Sequence, residues 1–165
     1  MKVKIKLDAD WEIDAEIPDE VAEKLKKKEI KRTGYERVDN GKTYYYELYD
    51  GTIGTDIEAN AGSDTECYEA GNYYSDRNIA INNARATVLT RQLRRFAVEH
   101  RTGGDLAYEL RYSKESGFVV SEFLPGWTGY FGAIQFDSRK AAELAIVTFR
   151  DELIWYFTEY TDSIE

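Results

Sequence analysis

From Val3 to Ile17 every odd position is apolar, and every even position from Lys2 to Glu16 is charged. Such a period of two fits an extended strand with one apolar face. Turning the chain through Asp8-Ala9-Asp10 sets Lys2, Lys4 and Lys6 opposite Glu16, Asp14 and Glu12, and Ile5 and Leu7 opposite Ile13 and Trp11. One hairpin register therefore satisfies both faces at once. Pro18 ends the second strand. Asp19 then caps an expected short helix with Val21, Ala22 and Leu25 inward and Lys24, Lys26, Lys27 and Lys28 toward its C-terminal end, where the helix dipole favours cations.

The same order of elements is expected twice more. After a polar connector over about 29–42, strands are predicted over Thr43 to Tyr49 and Thr52 to Glu58, joined by Asp50-Gly51, a strong hairpin signal. A loop then leads to Tyr68 to Tyr74, and Ser75 or Asp76 opens a long helix that runs to about His100 and stops at Gly103-Gly104. The last third repeats this with Leu106 to Tyr112, Gly117 to Leu124, a Pro125-Gly126 turn, Tyr130 to Phe136, and a helix from Asp137 or Ser138 to about Tyr160. At an offset of 62 residues, Tyr46-Glu47-Leu48 matches Tyr108-Glu109-Leu110 and Arg77 matches Arg139; deeper in the helices the better offset is 60. An internal repeat is expected, with chance likeness between two such units as the alternative. The fold class is α+β: antiparallel β-hairpins each followed by a helix, in ββα units over 1–40, 41–103 and 104–165, with the helices packed on antiparallel sheet. At 165 residues the chain has the length of a single domain, 1–165.

The longest mainly apolar run, Ala141 to Phe157, is interrupted by Glu143, Arg150, Asp151 and Glu152, so no segment approaches the ~20 apolar residues of a membrane span. The charged N-terminus lacks the apolar stretch of a signal peptide, and a single Cys67 allows no internal disulfide, so a cytoplasmic protein is expected. With one His and one Cys, a zinc site of the usual Cys/His type is excluded, and no metal or cofactor is expected.

Templates for catalysis fail as well. The sequence holds no Ser-centred glycine elbow, Gly-rich phosphate loop or HExxH pattern, and Gly51-Thr52-Ile53-Gly54 reads as a turn. The carboxylates around Cys67 raise a thiol pKa rather than activate it. Carboxylates are numerous enough for an acid/base pair, but no spacing singles one out. The expectation is a non-enzyme.

Charge is more informative. The net charge is -9, yet residues 76–101 hold six Arg against two carboxylates, while residues 41–75 hold one Lys against seven carboxylates. Ala86, Leu89, Leu93 and Phe96 recur at helical spacing and should face the sheet, leaving Arg91, Arg94, Arg95 and Arg101 on other faces. These Arg residues form a candidate anion site, or pair with the chain's own carboxylates. Overall negative charge opposes approach to nucleic acid. The acidic row Asp8, Asp10, Glu12, Asp14 and Glu16 has the regularity of a nucleic-acid mimic, but most of it meets Lys in the hairpin register. The better acidic face comprises Glu47, Asp50, Asp56, Glu58, Asp64, Glu66 and Glu69, with Tyr49 and Tyr73 as aromatic contacts. Tyr44 and Tyr46 share one strand face and Tyr45 and Tyr49 the other.

The stretch Gly71-Asn72-Tyr73-Tyr74-Ser75-Asp76-Arg77-Asn78-Ile79-Ala80, preceded by the Tyr-rich Gly41 to Gly54 and followed by a helix, resembles small accessory proteins of phages of Gram-positive bacteria. The resemblance covers about residues 41–100, with a weaker echo over 106–160 where Gly132-Ala133 stands at the corresponding place. It brings no catalytic residues. It implies an early or accessory phage protein, a group that includes inhibitors of host defence such as anti-CRISPR proteins. The leading expectation is accordingly a phage-type, non-enzymatic inhibitor that binds a host protein, such as a CRISPR effector nuclease, through its acidic Tyr-rich surface and blocks the nucleic-acid site. The alternative is a nucleic-acid-binding accessory protein using helix 76–101, as a monomer or homodimer; a small carboxylate enzyme is a third class.

Overall fold

The structure, a computed structural model, describes residues 2–8, 11–16, 18, 20, 33–123 and 134–160. The chain divides into two compact units, Met1–Thr33 and Gly34–Glu165. In the first unit β1 (Lys2–Asp8) pairs antiparallel with β2 (Trp11–Glu16). The register sets Lys2 opposite Glu16, Lys4 opposite Asp14, Ile5 opposite Ile13 and Lys6 opposite Glu12, as the alternation requires. Nearer the turn it shifts, so that Asp8 rather than Leu7 stands opposite Trp11. An extra residue on one strand of an antiparallel pair is accommodated by a bulge, which tightens the local twist. The expected helix from Asp19 through Val21, Ala22 and Leu25 lies outside the described residues.

The second unit opens with β3 (Thr43–Glu47) and β4 (Ile53–Ile57), an antiparallel pair. Both strands stop short of their expected ends. Leu48 N donates to Thr52 O (2.8 Å) and Gly51 N to Leu48 O (2.9 Å), closing a three-residue loop with Gly51 at φ 86°. A positive φ at the loop's last residue is the glycine-bearing geometry of such hairpins. On its other side β3 meets the chain again, where Tyr45 and Tyr74 exchange both backbone hydrogen bonds at 2.9 Å.

Between β4 and that bridge lies a helix the sequence reading missed, α1 (Gly62–Glu69). Composition hid it, because Gly, Ser, Asp and Thr favour turns. Its ends are nevertheless well made. Asp64 accepts from Ala61 N at 2.9 Å, and Asn72 N and Gly71 N return to Cys67 O (3.0 Å) and Tyr68 O (3.1 Å) around Gly71 at φ 71°. This is the Schellman pattern, in which glycine's positive φ lets the chain cap its own carbonyls. The stretch Tyr68 to Tyr74 is therefore helix end, turn and bridge in succession.

The long helix forms as expected. α2 (Arg77–Glu99) starts at Asp76, whose side chain accepts from Asn78 N and Ile79 N, and buries Ala80, Ala84, Ala86, Leu89, Leu93, Phe96 and Ala97. It packs against β3. β5 (Ala107–Ser113) then pairs with β6 (Gly117–Phe123) on one side and with the short β7 (Gln135–Phe136) on the other. The Pro125-Gly126 turn and residues Tyr130 to Ala133 fall outside the described residues.

The expected last helix is broken. α3 (Arg139–Thr148), capped by Ser138, and α4 (Arg150–Trp155) meet at Phe149, whose φ of -112° and ψ of 25° are not helical; a wide π turn, Tyr156–Tyr160, follows. At the break the Phe149 ring sets edge-on against Phe96, with centroids 5.5 Å apart. Edge-to-face contact is a preferred arrangement of two aromatic rings.

The described residues thus form an α+β fold, with helices packed on small antiparallel sheets. Its main core joins Leu89, Leu93 and Phe96 to Phe136, Ala142 and Leu153. The two hairpin-plus-helix segments share an order of elements, but only the first inserts α1 and only the second splits its helix, so the structure does not confirm the internal repeat. Leu93→Ala should cost about 2–5 kcal/mol, the range for deleting a buried side chain that leaves a cavity. Val147→Ala, on the exposed side of α3, should stay within about 0.5 kcal/mol. Urea denaturation checks both, and equal losses would contradict this placement of the core.

Candidate binding surfaces

Seven carboxylates between residues 41 and 75 were expected to form an acidic face. Two of them are interior. Glu58 is 1% exposed and Asp64 2%, and a buried carboxylate persists only where donors replace its water. Arg37 supplies the charge, donating from Nε to Glu58 Oε2 and from an Nη to Oε1, both at 2.9 Å. Tyr73 Oη donates to Oε2 at 2.8 Å and Asn60 N to Oε1 at 2.8 Å. Asp64 in turn accepts from Tyr44 Oη (3.1 Å), Ala59 N (2.9 Å) and Ala61 N (2.9 Å). The two Tyr rings lie face to face, with centroids 4.1 Å apart. Glu58, Asp64 and Tyr73 are therefore corrected from surface contacts to parts of a closed network that fixes β4, α1 and the Tyr73-Tyr74 segment together.

The titration behaviour follows from these partners. The Arg37 guanidinium, helped by Tyr73 and Asn60 N, outweighs the burial of Glu58 and holds its carboxyl down at about 2. Burial, then the hydrogen bond to Glu58, pushes the Tyr73 hydroxyl up to about 12. Burial foremost also raises the Cys67 thiol, with Asp64 and Asp56 adding to it.

The remaining expected contacts lie at opposite ends of the β3–β4 hairpin. At the turn are Tyr49, 92% exposed, and Asp50, whose Oδ1 accepts from Thr52 N (2.9 Å) and Thr52 Oγ1 (2.6 Å). Glu47 stands beside them and is bound by Arg91 at 2.7 Å, while Arg91 also donates to Tyr49 O at 3.3 Å. One residue of the expected acidic face is thus neutralised by one residue of the expected basic site. At the other end are Asp56, on the last turn of β4's ladder, and the exposed Glu66 and Glu69 of α1. Asp56 is near enough to Cys67 and Tyr44 to raise both of their pKa values.

Arg94 and Arg95 on α2 are exposed, as their spacing predicts, and so is Arg101 just past the helix end. Arg95 lies 3.7 Å from Glu99 one turn on, a solvated pair of the kind worth at most a few tenths of a kcal/mol.

The sequence reading missed three side chains. Arg37 stood in what looked like a connector, and its carboxylate is 21 residues away. Arg85 forms a two-pronged pair with Glu152 (2.7 and 3.0 Å) and covers the Trp155 ring at 4.0 Å. Tyr68 is 43% exposed and sits edge-on to Tyr73. Only Tyr68 could have been found locally, as an aromatic between Glu66 and Glu69. Among the described residues no three His, Cys, Asp or Glu side chains are placed to hold a metal ion, and no helix is long and apolar enough to cross a membrane.

A folded pKa near 2 against an ordinary 4.5 means that Glu58 contributes stability fully present above about pH 4.5 and lost as pH falls toward 2. Glu58→Gln should therefore lower the melting temperature at pH 7 and flatten its fall between pH 4.5 and 2. Some slope should remain, because Asp50 and Asp137 are also held below their ordinary values by hydrogen bonds. Parallel curves for the two proteins would refute the assignment. Comparisons with protein-family models, with curated proteins and with solved structures find no match to this chain.

Proposed function

We propose that the protein is a non-enzymatic binding protein that contacts a protein partner through Asp56, Glu66 and Glu69, with Tyr68 and Ile57 as the apolar part of the contact. One observation carries this reading. Of the seven carboxylates in residues 41–75, Glu47 and Glu58 each have an Arg partner and Asp64 is buried, whereas Asp50 at the turn and Asp56, Glu66 and Glu69 at the other end have no cationic partner among the described residues. Ile57, next to Asp56 in β4 and on the other face of the strand, is 58% exposed. Exposed aromatic and apolar groups within a charged rim are the usual composition of a protein interface.

The partner surface that complements such a patch is basic, as surfaces that hold nucleic acid are. The more specific form of the proposal is a phage-type inhibitor, anti-CRISPR-like, that occupies the nucleic-acid site of a host defence nuclease. The patch is smaller than the sequence suggested, since Glu58, Asp64 and Tyr73 are internal and Glu47 is paired. The alternative, nucleic-acid binding by α2 and the residues just past its end, now rests on Arg94, Arg95 and Arg101 without Arg91.

The test is affinity capture from bacterial lysate at moderate salt, with and without nuclease treatment. The expected result is a stoichiometric protein retained after nuclease treatment, lost to D56N/E66Q/E69Q, and unable to bind nucleic acid while the protein is bound. Retention of nucleic acid alone, abolished by R94A/R95A/R101A, would overturn the proposal in favour of the alternative.

A further inference from the structure

A second surface, which meets the acidic patch at Asp56, is built from three elements. A groove of about 770 Å³ runs beside the start of β4, floored by α2 and bounded by α4. Ile53, Ile81 and Val88 give it an apolar lining; Arg77, Arg85 and Glu152 give it charge. Ligand clefts of this kind typically measure about 300–1,000 Å³. Arg85 and Glu152 satisfy each other (2.7 Å). Arg77 is exposed and has no carboxylate partner among the described residues.

At Ile53 the groove meets β4, whose outer side is an open sheet edge. Leu48 N bonds to Thr52 O, Glu58 N to Lys42 O and Gly41 N to Glu58 O, while Tyr45 turns both of its backbone groups the other way, to Tyr74. Antiparallel ladders alternate, so the even-numbered residues 52, 54, 56 and 58 face β3, and the odd-numbered 53, 55 and 57 aim their N–H and C=O groups away from it. At Ile57 the outward N–H donates to Asp56 Oδ1 at 2.8 Å. At Ile53 and Thr55 the outward groups have no partner among the described residues.

We infer that this groove is a docking site for an extended peptide of a partner protein, which adds as a strand to β4, turns alternate apolar side chains onto Ile81 and Val88, and brings a carboxylate to Arg77. Each part of the occupant is set by a feature already described: extended backbone by the free edge groups, an apolar face by the α2 stripe, and an acid by the unpaired guanidinium. Main-chain bonds then supply affinity and alternate side chains supply specificity, as in other strand-addition complexes. A second copy of this chain fits less well, because Asp56 closes the far end of the edge and limits the open stretch.

The experiment pans a random octapeptide library against the full chain, then measures the consensus peptide by isothermal titration and by amide shifts in nitrogen-15 spectra. The expected consensus alternates apolar residues and carries one acid, with the largest shifts at Ile53 and Thr55. Thr55→Pro removes one outward donor and leaves the β3 ladder intact, as an edge position allows. Arg77→Ala removes the cation from an exposed helix position. Each should weaken the peptide about tenfold or more, with circular dichroism unchanged. The proposal is overturned if no consensus emerges, if peptide binding is indifferent to both variants, or if the free protein forms a dimer in sedimentation that T55P dissociates.

Discussion

The second unit depends on an ion pair that water cannot replace. Glu58 ends the β4 side of the first hairpin, and Arg37 comes from a segment with no regular secondary structure. A buried carboxylate without its cation is strongly destabilising, whereas a complete pair with every oxygen satisfied is tolerated. Here completeness is reached with Tyr73 and Asn60 N, so the pair recruits the segment before α2 and the loop before α1. The network therefore does for the β3–β4 hairpin what Leu93, Phe96 and Phe136 do for the β5–β6–β7 sheet. The hairpin is held by directional polar contacts, the sheet by apolar packing.

That contrast explains how hydrogen bonds and rings divide between the two hairpins. The β3–β4 hairpin is too small to bury a wide apolar face, and its buried rings are its own Tyr44 with Tyr73 and Tyr74 beside it, which bring a hydroxyl with each ring. The β5–β6–β7 sheet receives Ala141, Ala142 and Ala145 from α3, small residues that let the helix lie close. Phe96 touches Phe149 there, and His100 stacks on Phe96 at 3.8 Å with its Nδ1 2.9 Å from Phe96 O.

Much of the fold was legible in the sequence, because periodicity reports which face is apolar. The β1–β2 register from Lys2 to Lys6 was readable from charge alternation, though not the shift beside the turn, and the inward stripe of α2 from Ala86, Leu89, Leu93 and Phe96. Three kinds of feature were not legible. α1 is held by Asp64 and by glycine geometry rather than by an apolar stripe, so no period announces it. The break at Phe149 coincides with its ring meeting Phe96, a contact 53 residues apart that local propensity does not encode. The candidate site suffered most, since composition counts carboxylates without saying which have found a cation. Glu58 and Glu66 look alike in the sequence. Only tertiary structure separates the one bound by Arg37 from the one left in water.

The side chain of Asp56 has a consequence for the protein's behaviour when concentrated. An uncovered strand edge is a template on which identical chains can stack without limit. By accepting the outward N–H of Ile57, Asp56 occupies one rung of that template with a charged group of the same chain. On this one edge the carboxylate thus removes a rung that a neighbouring strand would otherwise use.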